Sequence, residues 1–200
     1  MKHAIVLAHP NAESFNASIA ATYSKALERE GHDVLMRDLY KLGFDPCLKA
    51  GEIPGPEGFS PEPDVVAERL LLADVEVFTF IYPFWFNSPP AILKGYVDRI
   101  FGMGFGYQPV FGGTRPALTG RRLVSFSTSG APDAWVQSTG ALEALKTRFD
   151  EHLAGVCGLV VAGHLHFGGI VSDITAESID TLLAQVRAVA QRPLAMAMEA

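Results

Sequence analysis

Apolar runs and helix-period segments alternate along the chain. Residues 4–8 form a short run of the buried-strand type. Over 16–30, Ile19, Tyr23, Ala26 and Leu27 fall on one face, which predicts a helix with Gly31 just past its end. A second strand is predicted over 33–39, then a helix over 64–73 with Asp64 as N-cap. Residues 75–82, VEVFTFIY, are β-branched, aromatic and nearly all apolar. A parallel strand covered on both faces reads this way. Further predicted elements are a helix over 90–101 opening on proline, a strand over 122–127 and a helix over 140–153. A fifth strand over 156–166 and a helix over 175–191, ended by Pro193, complete the pattern. Five alternating β-α units predict an α/β fold: a doubly wound five-stranded parallel sheet with helices on both faces. Crossovers in such sheets are right-handed, and five strands favour the order 2-1-3-4-5. Residues 1–194 read as one domain and 195–200 as a frayed tail.

Composition narrows the function classes. Of 200 residues, 48 % are hydrophobic and 19 % charged, which excludes a disordered chain. A net charge of −6 speaks against nucleic-acid partners and against docking on anionic membranes. No apolar stretch is long enough for membrane insertion. Cys47 and Cys157 form no CxxC pair, so two reduced thiols and a cytoplasmic location are expected.

In an open parallel sheet, ligands bind beyond the carboxyl ends of the strands, where the strand order reverses. That brings three loops together, 9–16, 83–90 and 127–135. The first ends at a helix start where Ser14, Asn16 and Ser18 can add donors to the backbone N–H groups, a site suited to phosphate. Its plainer reading is an ordinary N-cap at Ser14. The second holds Tyr82, Pro83, Phe84, Trp85, Phe86 and Asn87. Trp85 and Phe86 are adjacent, so both cannot enter the core, and one is expected to face a flat ligand. In the third, Thr128, Ser129 and Gly130 offer consecutive N–H groups that suit a negative charge. Two long segments, 41–63 and 102–120, are rich in proline and glycine and fit no regular element. His164 and His166 share a strand face, which permits metal binding, but no third ligand is evident and no metal site is expected. Asp98–Arg99 reads as a solvated helix pair. Arg115, Arg121 and Arg122 read as surface residues, with NAD(P)H phosphates as the alternative.

These segments resemble the NAD(P)H:quinone oxidoreductase (DT-diaphorase-like) family of flavodoxin-like flavoproteins. The resemblance rests on His9-Pro10, Ser14-Phe15-Asn16, residues 82–99, Gly104-Phe105-Gly106-Tyr107 and residues 127–130. It implies a non-covalent flavin, FAD favoured by the Ser-Phe-Asn helix start and FMN the alternative, with NAD(P)H as hydride donor and a quinone-like substrate. It places His9, Phe15, Asn16 and Ser18 near the pyrophosphate and ribityl chain, and Pro83, Phe84, Trp85, Phe86 and Asn87 beside the isoalloxazine. It places Thr128, Ser129 and Gly130 at the polar edge of that ring. Phe105, Tyr107 and Trp135 become candidate substrate walls, Tyr107 often supplied across a homodimer interface. Ping-pong hydride transfer needs no nucleophile from the protein. Azo or nitro reduction, or an ancillary role in an ion-efflux system, are the alternatives. Larger family members carry a tyrosine and a histidine after the fourth strand. Here the tyrosine position is Trp135 and residues 139–141 contain no histidine, so the resemblance supplies no acid/base residue.

Overall fold

A computed structural model of the chain describes residues 1–55 and 58–191. Pro193 and the tail at 195–200 lie outside them. Five strands, β1 (Lys2–Leu7), β2 (Asp33–Asp38), β3 (Val77–Pro83), β6 (Arg122–Thr128) and β7 (Val160–Phe167), form one parallel sheet. Their order is β2-β1-β3-β6-β7, the 2-1-3-4-5 pattern expected once the separate hairpin β4 (Tyr107–Val110) and β5 (Gly113–Pro116) is set aside.

Strand alternation sends successive side chains to opposite layers. Ala4, Val6, Phe78, Phe80 and Tyr82 face one apolar cluster, while Ile5, Leu7, Val77 and Ile81 face the other. The second layer is covered by α1 (Phe15–Arg29) and α7 (Ala176–Ala190). The first is covered by α2 (Pro63–Leu71), α3 (Ala91–Ile100) and a broken helix. That helix runs as α5 (Ala141–Leu145), a π turn (Lys146–Glu151) and α6 (His152–Cys157). A short helix, α4 (Asp133–Ser138), lies inside the third loop. No helix of the described residues is long and apolar enough to cross a membrane.

Five expectations are corrected. Residues 107–116, within the 102–120 segment expected to fit no regular element, form the β4–β5 hairpin. The fifth strand starts at Val160 rather than 156, because Gly158 adopts φ +79° and closes α6 in a left-handed cap. Asp64 does not cap α2. Glu62 holds that position, and the Asp64 carboxylate is bound by Arg99. The Asp98–Arg99 pair is not jointly solvated. Asp98 meets Lys94 at the surface, whereas Arg99 is 2 % exposed. The Arg99 guanidinium grips Glu52 and Asp64 and donates to the Asp45 carbonyl, anchoring the 41–63 segment. Arg121 is no plain surface residue either. It donates to the carbonyls of Leu72, Ala73 and Val75 in the turn that follows α2.

Candidate active site

The three loops meet, and they are tied to one another. Asn16 Nδ2 donates to Thr128 Oγ1 at 2.8 Å, joining the first loop to the third. The Phe84 N–H donates to the Thr128 carbonyl at 2.6 Å, joining the second to the third. The His9 and Trp85 rings approach to 5.8 Å, joining the first to the second.

In the first loop, Ser14 is the N-cap of α1, and its hydroxyl accepts from the Ala17 N–H. The Ser18 hydroxyl donates back to the Ser14 carbonyl. The Ser18 donor is thus used within the helix, whereas the Ser14 O–H still has its proton to offer. The N–H groups of Phe15 and Asn16, in the first turn of the helix, have no intrahelical acceptor. The Phe15 ring packs edge-on against Phe167. Asn16 is buried, and its Oδ1 has no partner. A buried amide oxygen left without a donor costs about 1–3 kcal/mol, so a ligand N–H or O–H at this point would recover it. The His9 imidazole is held below its ordinary value by burial, against a stabilising contact with the Asn11 backbone.

The second loop carries the clearest local strain. Trp85 and Ser88 exchange both backbone hydrogen bonds, 3.1 and 3.0 Å, around Phe86 (φ +48°) and Asn87 (φ +55°). Two left-handed central residues define a type I′ turn, which normally takes Asn-Gly. A phenylalanine at the first position costs about 1–2 kcal/mol. What that cost produces is a fully exposed ring, with Trp85 half-exposed beside it. Phe84 differs from its neighbours. Its ring enters the core edge-on to His166, so only its backbone is available at the loop.

The third loop is drawn over the sheet edge. The Ser129 N–H donates to the Phe167 carbonyl, and the Ile170 N–H donates to the Ser129 carbonyl. Gly130 is exposed. Beneath this loop lies a set of polar side chains that spacing alone did not assemble. Asp150 Oδ2 meets His164 Nδ1 (2.5 Å), and His164 Nε2 meets Ser127 Oγ (2.7 Å). Ser127 Oγ meets His166 Nδ1 (2.8 Å), and His166 Nε2 meets Ser129 Oγ (2.9 Å). All four ring nitrogens are engaged, so the two-residue spacing of the histidines serves a hydrogen-bond chain. No group of His, Cys, Asp and Glu among the described residues is arranged to hold a metal. The legible signal was alternation, His164 and His166 on β7 facing Ser125 and Ser127 on β6. Asp150 comes from the π turn and gave none.

The candidate substrate walls are dispersed. Trp135 is half-exposed in the first turn of α4. Phe105 packs edge-on against Phe78 and Phe101. Tyr107 lines a cavity of about 250 Å³ with Phe101, Arg148, Phe149 and His152, and no residue of the three loops lines it. A second cavity of about 350 Å³ does adjoin the second loop, lined by Asn87, Ser88, Lys94, Leu145 and Arg148.

These features fit a flavin. A flat ring would meet exposed aromatic surface at 85–86, its polar edge the exposed backbone at Gly130, and its phosphate chain the start of α1. Comparison with known proteins agrees. A family model described as flavodoxin-like fold matches residues 1–190. An uncharacterized NAD(P)H oxidoreductase of Haemophilus influenzae is 31 % identical over 92 % of this chain and 93 % of its own. NAD(P)H dehydrogenase [quinone] 1 of Cavia porcellus is 29 % identical over 68 % of this chain, which spans 56 % of that protein. The solved NAD(P)H:quinone oxidoreductase of Methanothermobacter marburgensis shares the fold, with a TM-score of 0.77 at 24 % identity over 95 % of this chain and 97 % of its own. The chain belongs to the flavodoxin-like family, among its NAD(P)H oxidoreductases.

Proposed function

We propose that this protein is an NAD(P)H:quinone oxidoreductase that binds FAD, takes quinones or similar flat electrophiles, and works as a cytoplasmic homodimer. The observation that carries the reading is the fully exposed Phe86 held in a strained turn beside Trp85, over loops locked together by Asn16, Thr128 and Phe84. Strain of this kind is kept where it serves a ligand. The bound flavin supplies two-electron hydride transfer between donor and acceptor. The protein supplies the rest. Phe86 and Trp85 orient flat rings and exclude water from one face. The exposed backbone N–H of Gly130 favours negative charge at the ring edge, with Thr128 and Ser129 fixing the loop that carries it. The start of α1 holds the phosphates, and the unpaired Oδ1 of Asn16 accepts from the ligand. One face must admit donor and acceptor in turn, which gives ping-pong kinetics. The cavity that Tyr107 lines includes no residue of the three loops, which supports a second copy supplying that wall.

The test is to purify the protein, record its visible spectrum, and release and identify the bound cofactor by chromatography. FAD, together with parallel double-reciprocal lines for NAD(P)H and a quinone, is the expected result. FMN would keep the reductase and overturn the choice of FAD. A protein that takes up no flavin on reconstitution would overturn the whole reading.

A further inference from the structure

The buried chain beneath the third loop poses a counting question. Its five side chains make four mutual contacts, Asp150–His164, His164–Ser127, Ser127–His166 and His166–Ser129. Each contact needs one proton between its two heavy atoms. An ionised Asp150, two neutral imidazoles and the Ser127 hydroxyl supply three. The Ser129 hydroxyl also lies 2.9 Å from the Ala131 carbonyl. Two fully hydrogen-bonded states follow. In the first, Ser129 donates to Ala131, and all four contacts are filled only if the chain holds one extra proton. That proton rests as an imidazolium–carboxylate pair at His164 and Asp150. In the second, Ser129 turns to donate to His166 Nε2, and the chain is complete without the extra proton. Ala131 keeps a donor in either state, because the Gly169 N–H also reaches its carbonyl at 2.9 Å.

We propose that Asp150, His164, Ser127 and His166 form a one-proton store that discharges through the Ser129 hydroxyl into the active site. This rests on the oxidoreductase reading above. Discharge is a shift by one place. The Ser129 hydroxyl turns from the Ala131 carbonyl, its O–H bond breaks toward the substrate oxygen, and Ser129 takes the proton from His166 Nε2. His166 Nδ1 takes the Ser127 proton, and Ser127 takes the proton from His164 Nε2. The end point is the second state, with every contact refilled in the opposite sense. Two electrons reach the quinone with the hydride drawn from NAD(P)H, which is oxidised, and the stored proton completes one hydroquinone O–H bond. Solvent recharges the store through Ser129 once product leaves.

Burial supports this arrangement. The Asp150 and His164 side chains are 1 % and 2 % exposed, so the inner end is closed. Ser129 is the end that lies in the loop of the site. Asp150 is further held by the Ser125 hydroxyl at 2.9 Å. Groups from every neighbouring element bear on the store. Tyr82 of β3 faces His164, its phenol kept above the usual range by burial and by Asp150. Phe84 meets the edge of His166. Asp133 of α4 raises His166, while burial and His164 lower it, burial prevailing. An imidazole so placed passes a proton on more readily than it keeps one. A π turn in a helix is itself uncommon, and here it carries Asp150.

The test begins without turnover. Nitrogen-15 NMR of histidine side chains across pH should show His164 and His166 changing tautomer together in one step. Ser127→Ala should split that step in two. Asp150→Asn should move it to lower pH, because the carboxylate that holds the extra proton is gone. In the active holoenzyme, Ser127→Ala should lower kcat about 100-fold, most at high pH, with KM little changed. Separate titration of the two histidines in the unsubstituted protein, or a kcat indifferent to Ser127→Ala at all pH, would overturn the store. A protein with joint titration but no flavin uptake would overturn the flavin reading and keep the store. An active flavoprotein with separate titrations would do the reverse.

Discussion

At the scale of single residues, two side chains sit against their own stability. Phe86 holds φ +48° in a turn built for glycine or asparagine. Phe86→Gly should therefore raise folding stability by about 1 kcal/mol while weakening flavin binding about tenfold, the worth of one aromatic contact. Urea melts of the flavin-free protein and fluorescence titration with flavin read the two effects separately. A variant that binds flavin as tightly as the parent would remove the ring from the site. His3 is the second case. It is fully buried at the start of β1, neither ring nitrogen has a partner, and its pKa is lowered to about 4 by burial, with His32 and the N-terminus adding to the effect. The unfolded chain takes up a proton near pH 6.5 and the folded chain only near 4. Stability is thus complete above 6.5 and falls as pH drops toward 4. The loss is about 2 kcal/mol once solvent screening at the chain end is allowed for. His3→Val should flatten the curve over that window and hold or raise stability at pH 7. An unchanged acid slope in the variant would assign the loss to other groups.

At the scale of elements, the strands that build the sheet were legible because their residues have few other uses. Residues 77–83 are apolar on both faces, and only a central parallel strand needs that. The β4–β5 hairpin was not legible. Its strands are four residues each, mostly exposed, and show no alternation. The break in the long helix was hidden for a related reason, since a π turn uses the same residues as an α turn. Arg99 was misread because helical spacing says which residues share a face, not what covers it. The cover is the 41–63 segment, which also approaches α3 so closely that a Cβ on Gly95 would lie 2.2 Å from the Pro46 carbonyl oxygen. Arg99 and Glu52 are almost wholly buried, so each depends on the other. Arg99→Met should cost about 3 kcal/mol, because it strands the Glu52 charge, and a second change, Glu52→Leu, should restore part of that. Urea unfolding of the single and double variants measures the coupling. A loss below about 1 kcal/mol for Arg99→Met would show that the segment is held by packing alone.

At the scale of the molecule, the site was legible before its details were. Strand order alone placed the loops after β1, β3 and β6 side by side, and each was chemically unusual. What sequence could not show is how they share contacts. Thr128 accepts from Asn16 of the first loop through its hydroxyl and from Phe84 of the second through its carbonyl. The proton store ends in that same third loop, at Ser129. A ligand lying across all three loops binds the folded chain and not the unfolded one, so it must raise stability by mass action. At a flavin concentration 100 times its dissociation constant the gain is about 2.7 kcal/mol, worth about 5–11 °C in melting temperature for a chain of this size. Asn16→Ala removes both the tie to Thr128 and the unpaired oxygen offered to the ligand. It should leave the flavin-free melting temperature within a few degrees of the parent and abolish most of the flavin-dependent rise. Calorimetric scans with and without added FAD distinguish the two quantities. A variant that melts low but still gains the full increment would make Asn16 a strut between loops and leave ligand recognition to the aromatic turn and the helix start.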